Sequence, residues 1–189
     1  MTATDTRTLT SIPGYVAGTW SIDPVHSEVG FTVRHMMVSK VRGRFRTFSG
    51  QIVTGASPLG SSVTAEIDLS SIDTGNEQRD AHIRSADFFE VETYPTMTYR
   101  STGVREDGDV YILDGQLTLK GVTRDVPLAL EINGFGPDAY GGTRVGFTAI
   151  GEINRRDFGV NFTAVMETGG AVVSDKITIQ LEIEAVLQP

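Results

Sequence analysis

The chain has 189 residues, 39% apolar and 21% charged, with no cysteine and a formal net charge of −8. That length suits one all-β domain, able to bury about 70% of its unfolded surface. The lack of cysteine excludes disulfides, a thiolate nucleophile and Cys-based metal centres. The acidic balance repels phosphate backbones, so nucleic acid is not an expected partner and adhesion to anionic headgroups is disfavoured.

Residues 1–17 are rich in threonine and lack a basic segment followed by an apolar core. They read as a flexible arm, with no signal peptide and no spanning helix. The expected compartment is the cytoplasm, without stable membrane insertion. Residues 18–189 read as one domain. Gly18 to Ile22 is a short strand, and the Asp23-Pro24 turn is expected to reverse the chain. Val25, Val29, Phe31 and Val33 then alternate with His26, Glu28, Thr32 and Arg34, the pattern of a half-buried strand. A long strand follows from Lys40 to Thr54. Arg42, Arg44 and Arg46 take its outer face, Val41, Gly43 and Phe45 its inner one, with bends expected at Gly43 and Gly50. Val63, Ala65, Ile67 and Leu69 mark another strand.

One helical interlude is expected over 76–85, with Thr74-Gly-Asn-Glu77 spaced as a capping box. Its charged residues, Arg79, Asp80, His82 and Arg84, read as a solvated face. Strands resume over 95–103, 110–120 and 123–133, with a hairpin turn at 106–109 and a poorly paired position at Pro127. After a loop from Gly134 to Gly142, two long strands cover 144–153 and 175–187. In the last, Ile177, Ile179, Leu181 and Ile183 face one way. Continuous apolar runs of the kind a doubly covered parallel sheet needs are absent. The fold class is therefore all-β and antiparallel. Interior glycines at 43, 115, 146 and 151 favour coiling into a barrel, which at eight strands can just hold one ligand.

Chemistry-bearing motifs are sparse. There is no nucleophile elbow, zinc-protease helix or phosphate-binding loop. Gly134-x-Gly136 leads into Pro137 instead of a helix. His26, His35 and His82 lack ligand spacing, so no metal is expected. The Asn154-Arg-Arg-Asp-Phe-Gly159 run reads as an ion pair closing one barrel end, with a clamp on a ligand head group as the alternative. The surplus of inward aromatic residues fits either a solid core or a tube for a long apolar ligand.

Several co-linear stretches carry a more specific signal. The run from Asp23 to His35, Val41-Arg-Gly-Arg-Phe45, Phe48-Ser-Gly50, Ile72-Asp-Thr-Gly75, Arg79-Asp80 and His82 to Phe88 resemble the YceI family of lipocalin-like proteins. So do Tyr94-Pro95, Gly115-x-Leu-Thr-Leu-x-Gly-Val-Thr-Arg124 and Asn154-Arg-x-Asp-Phe-Gly159, over about residues 18 to 187. The resemblance implies an extended eight-stranded antiparallel β-barrel with a short helical cap. It implies non-catalytic binding, storage or transport of a polyisoprenoid, an isoprenoid quinone or another long amphiphile, and association as a homodimer. No cofactor is implied beyond the bound lipid.

Residues of inward parity are then the candidate ligand contacts: Phe31, Val33, Phe45, Ile67, Phe88, Phe89, Met97, Tyr99, Leu117, Leu128, Phe147, Phe158, Phe162, Met166, Ile179 and Leu181. His35, Arg84 and Arg155 are the candidates for a polar head group. Two other readings stand beside this one. One is an enzyme acting on a lipid in the same cavity through His35, Tyr99 or Arg155. The other is a ligand-free stress or structural protein.

Overall fold

A computed structural model describes residues 12–164, 167 and 172–189. Met166 and residues 1–11 of the expected arm lie outside this range. The alternating segments form strands β1 (Gly18–Ile22), β2 (Glu28–His35), β3 (Ser39–Phe45), β4 (Phe48–Thr54), β5 (Ser62–Asp68) and β6 (Ile72–Asp73). Helix α1 (Glu77–Arg84) follows, then β7 (Thr96–Asp107), β8 (Val110–Leu119), β9 (Val122–Asp125), β10 (Leu128–Pro137), β11 (Thr143–Asn154) and β12 (Val173–Leu187). All pairings are antiparallel. The order β1-β4-β5-β7-β8-β10-β11-β12 closes through β12 onto β1, giving an eight-stranded barrel. Closure removes the exposed edges that an open sheet of this size would carry.

The shorter strands are halves of longer staves. Both β1 and β2 run antiparallel to β12, so the chain does not reverse at Asp23-Pro24 as the sequence suggested. Ile22 faces Ala185 and Glu28 faces Glu182, so six residue steps on one side span three on the other. The extra residues form an enlarged, looped-out bulge. Pro24 has no N–H to give the ladder, and the segment loops out. Asp23 N–H donates to Glu184 O, and the Ser27 hydroxyl bonds both backbone groups of Glu184. Pro127 likewise sits in the break between β9 and β10. The loop expected over 134–142 is shorter, because β10 bulges between Ile132 and Gly134 and pairs with β11 out to Pro137.

Two glycines exist to admit rings. Gly43 pairs with Phe31, and a Cβ there would overlap the Phe31 ring. Gly115 leaves the same space for Tyr99, whose hydroxyl donates to Val126 O at 2.9 Å. The bend expected at Gly43 is instead a strand position emptied for an aromatic side chain crossing it.

The helix is capped by Asn76, whose side chain accepts from Arg79 N–H at 2.9 Å. Thr74 is not the cap: its N–H and its hydroxyl both go to Asp80. Asp80 is 3% exposed, so it is not part of a solvated face. Its carboxylate ties the helix to the chain entering it.

Two clusters hold the interior. The smaller contains Trp20, Ile52, Val145, Phe147 and Ala185 at the closed end of the barrel. Trp20 Nε1–H donates to Thr54 Oγ1 at 2.8 Å, and Phe135 packs edge-on against it. The larger cluster lies along β5, β7, β8 and β10 and reaches Phe158.

Candidate functional site

The inward faces of the barrel do not meet. They enclose one elongated cavity of about 560 Å³, within the ~300–1,000 Å³ typical of small-molecule sites. Val173 and Ile183 both lie at its wall, separated by about 33 Å of strand at ~3.3 Å per residue. The space is therefore a narrow tube and not a rounded chamber. Alternation builds it: β12 contributes Val173, Ile177, Ile179, Leu181 and Ile183, and β2 contributes Val29, Phe31 and Val33.

The two ends differ. At one, Tyr15 and Phe135 line the tube in edge-on contact, ring centroids 5.2 Å apart, and Tyr15 donates its hydroxyl to Gly55 O. At the other, α1 and the residues after it form the cover. His82 packs edge-on against both Phe88 and Phe162, and Phe89 packs on Phe45. His82 Nε2 pairs with the Asp87 carboxylate at 2.8 Å.

The ionisable groups of the wall have one sign. Arg34, His35, Arg79, His82 and Arg155 line it, with tyrosines 15, 99 and 111, and among the described residues no aspartate or glutamate does. In a chain with 24 acidic and 16 basic residues this is a local reversal. Arg79 is steadied by Thr74, through Nε to the hydroxyl at 2.7 Å and Nη2 to the carbonyl at 2.8 Å. Arg155 is 4% exposed and donates to the carbonyls of Val160, Phe162 and Ser174 while pairing with Asp175. Burial pushes its guanidinium pKa down and Asp175 opposes that shift. Burial pushes the Tyr99 phenol up, with the Asp114 charge adding to it, so Tyr99 stays protonated and acts as a hydrogen-bond donor.

The YceI-like domain model matches residues 20–185, nearly the whole barrel. The chain belongs to the YceI family. It is 38% identical over 167 residues to a UPF0312 protein of Staphylococcus epidermidis, covering 87% of this chain and 95% of that one. The Campylobacter jejuni YceI protein has the same fold at 32% identity, with a TM-score of 0.71 over 88% of this chain and 96% of its own. A polyisoprenoid binding domain from Saccharophagus degradans superimposes with a TM-score of 0.68 at 20% identity, over 92% of this chain and all of that domain.

Within this YceI barrel, most residues of inward parity reach the tube: Phe31, Val33, Phe45, Ile67, Phe88, Phe89, Met97, Tyr99, Leu117, Leu128, Phe147, Phe162, Ile179 and Leu181 all line it, as do His35 and Arg155. Phe158 does not. The 3-10 turn Arg155–Phe158 tucks it into the larger core cluster, 1% exposed. Arg84 does not either, because it points along the outside of α1 to Ser70 O and Glu77. Met166 lies outside the described residues.

The sequence reading missed Arg79 and His82, taken as a solvated helix face, and Tyr15, taken as part of an arm. The spacing of Arg79, His82 and Ile83, three and four apart, would have shown that one stripe of the helix faces inward. For Tyr15 there was no comparable signal. The three histidines are not brought together: His35 and His82 line the tube while His26 lies at the outer bulge. Asp23, His26 and Glu184 are close enough to hold an ion, but the Arg144 guanidinium already pairs with Asp23 and Glu184 there. A divalent cation at that point would have to displace it.

Proposed function

We propose that this protein binds a long amphiphile of isoprenoid type, without catalysis, and carries or stores it. The observation that carries the reading is the enclosed apolar tube with basic groups gathered toward one end. A prenyl tail leaving water for this wall gains ~25 cal/mol per Å² of apolar surface buried, less the cost of ordering a flexible chain. The acceptor-rich head, of an isoprenoid quinone or an acidic prenyl derivative, would lie toward His35, Arg79 and His82. The polyisoprenoid binding domain of Saccharophagus degradans, alike in fold, supports the tail chemistry.

The catalytic alternative has less support. Tyr99 is committed to backbone carbonyls, and Arg155 spends its donors the same way. Neither presents an activated group to a substrate.

Native mass spectrometry and solvent extraction of the purified protein test the proposal. A prenyl lipid that leaves with organic solvent and is absent from an Ala149→Trp variant, whose indole would block the tube, is the expected result. A protein that carries no lipid and takes up no fluorescent prenyl alcohol would overturn it.

A further inference from the structure

We propose that the hairpin between β2 and β3 is a docking tip for an anionic lipid bilayer, holding the basic end of the tube against the membrane surface. The tip is Met36-Met37-Val38, with the three residues 40%, 59% and 84% exposed. Three apolar side chains in a row at a hairpin end leave much of their surface open to solvent, Val38 most of all.

The backbone sharpens this. Met36 and Met37 both take left-handed conformations, with φ of 50° and 59°, and Val38 N–H closes the turn onto His35 O. Two consecutive positive φ values define the hairpin turn that Asn-Gly makes with little strain. Two methionines make it at a cost, and their long flexible side chains are then projected outward. Methionine adapts to irregular apolar surroundings better than any other residue. The strained turn thus holds out apolar groups that would be pointless in water.

Charge names the occupant. Arg34, Lys40 and Arg42 flank the tip on the exposed side of the same two strands, with Arg34 directly opposite Lys40. Among the described residues none of the three pairs with a carboxylate, although Arg44 and Arg46 on the same face do. An apolar point within a basic collar matches lipid headgroups of negative charge above an acyl layer. The net charge of −8 sets the far field, but a Debye length of about 8 Å screens carboxylates on the rest of the barrel from a membrane touching the tip. Position completes the argument. Arg34, His35 and Val172 line the tube, and Met36 N–H donates to Val172 O at 2.9 Å. The tip is therefore part of the rim through which a lipid would pass. The purpose of docking rests on the lipid-binding reading above; the docking itself does not.

Flotation with vesicles of phosphatidylcholine alone and of phosphatidylcholine with phosphatidylglycerol tests it. The protein should float with the phosphatidylglycerol vesicles and be released by high salt. Met37→Asp with Val38→Asp should reduce flotation by about tenfold; aspartate tolerates a positive φ, so the turn survives. Lys40→Glu with Arg42→Glu should abolish the preference for phosphatidylglycerol. Circular-dichroism melting checks that each variant folds. Uptake of a prenyl alcohol from solution, measured on the same samples, reports the tube separately: its failure sinks the lipid-binding reading and leaves docking intact. Wild-type protein that stays with the soluble fraction on both vesicles, or variants that float equally well, would overturn the docking tip. A wild-type dimer that the tip substitutions convert to monomer, with no flotation, would assign the surface to a second copy and overturn it too.

Discussion

At Thr54 a single hydroxyl accepts from Trp20 Nε1 and Gly18 N–H and donates to Val16 O. It anchors the closed end of the barrel, where Trp20 is wholly buried. Thr54→Val keeps the shape and strands a buried indole N–H, which costs ~1–3 kcal/mol. Chemical denaturation should show that loss with an unchanged m-value. Arg144 does comparable work outside the barrel, pairing with Asp23, Asp138 and Glu184. Its hydrogen bond, and then that of His26, holds the Asp23 carboxyl far below the usual range. A depressed carboxylate contributes stability above its unfolded pKa of ~3.9 and loses it as pH falls further. Wild-type melting temperature should therefore drop below about pH 4. In Arg144→Met the three carboxylates repel one another near neutrality, so mild acid should raise the melting temperature instead. Asp138 keeps the backbone N–H bonds of Gly142 and Tyr140, so part of the acid sensitivity persists in the variant.

Among the elements, the strands were the most legible. Alternation over residues such as Ile177, Ile179, Leu181 and Ile183 states which side of a strand meets apolar surroundings, and the barrel obeys it. The breaks were less so. Asp23-Pro24 has the chemistry of a reversal, yet proline outside a ladder serves a bulge equally well, and only the partner strand decides. Helix α1 was legible as a helix and as a short cap, but the contact that fixes it was not, because that contact is a buried aspartate. Asp80→Ala removes the acceptor for Thr74 N–H and hydroxyl and should free the cover locally. Hydrogen exchange should rise by at least tenfold over residues 74–91 while the barrel strands keep their protection. A global loss of protection would instead make the cover part of the core.

The hollow itself was beyond the reach of sequence. Filled and empty barrels share the same alternation, and the difference lies in whether rings such as Phe31 and Tyr99 lie flat against glycines or project to the axis. Both lie over glycines here, which keeps the axis clear. A tube of this kind gives the whole molecule a stability that depends on its contents. A ligand present at a hundred times its dissociation constant adds ~2.7 kcal/mol by mass action. Solvent-stripped protein should melt several degrees lower, and a prenyl alcohol should restore the loss in a concentration-dependent way.

Tyr15 and Phe135, packed ring against ring at the far end of the tube, would also act as a ruler for a bound tail. On the proposed lipid-binding reading, a tail entering past α1 would travel until it met them, and any longer tail would leave part of itself in water. The protein would then sort chains by length as well as by chemistry. Shaving the stop with Phe135→Ala should lengthen the best-bound chain, read as a shift in the distribution of extracted lipids toward more isoprene units.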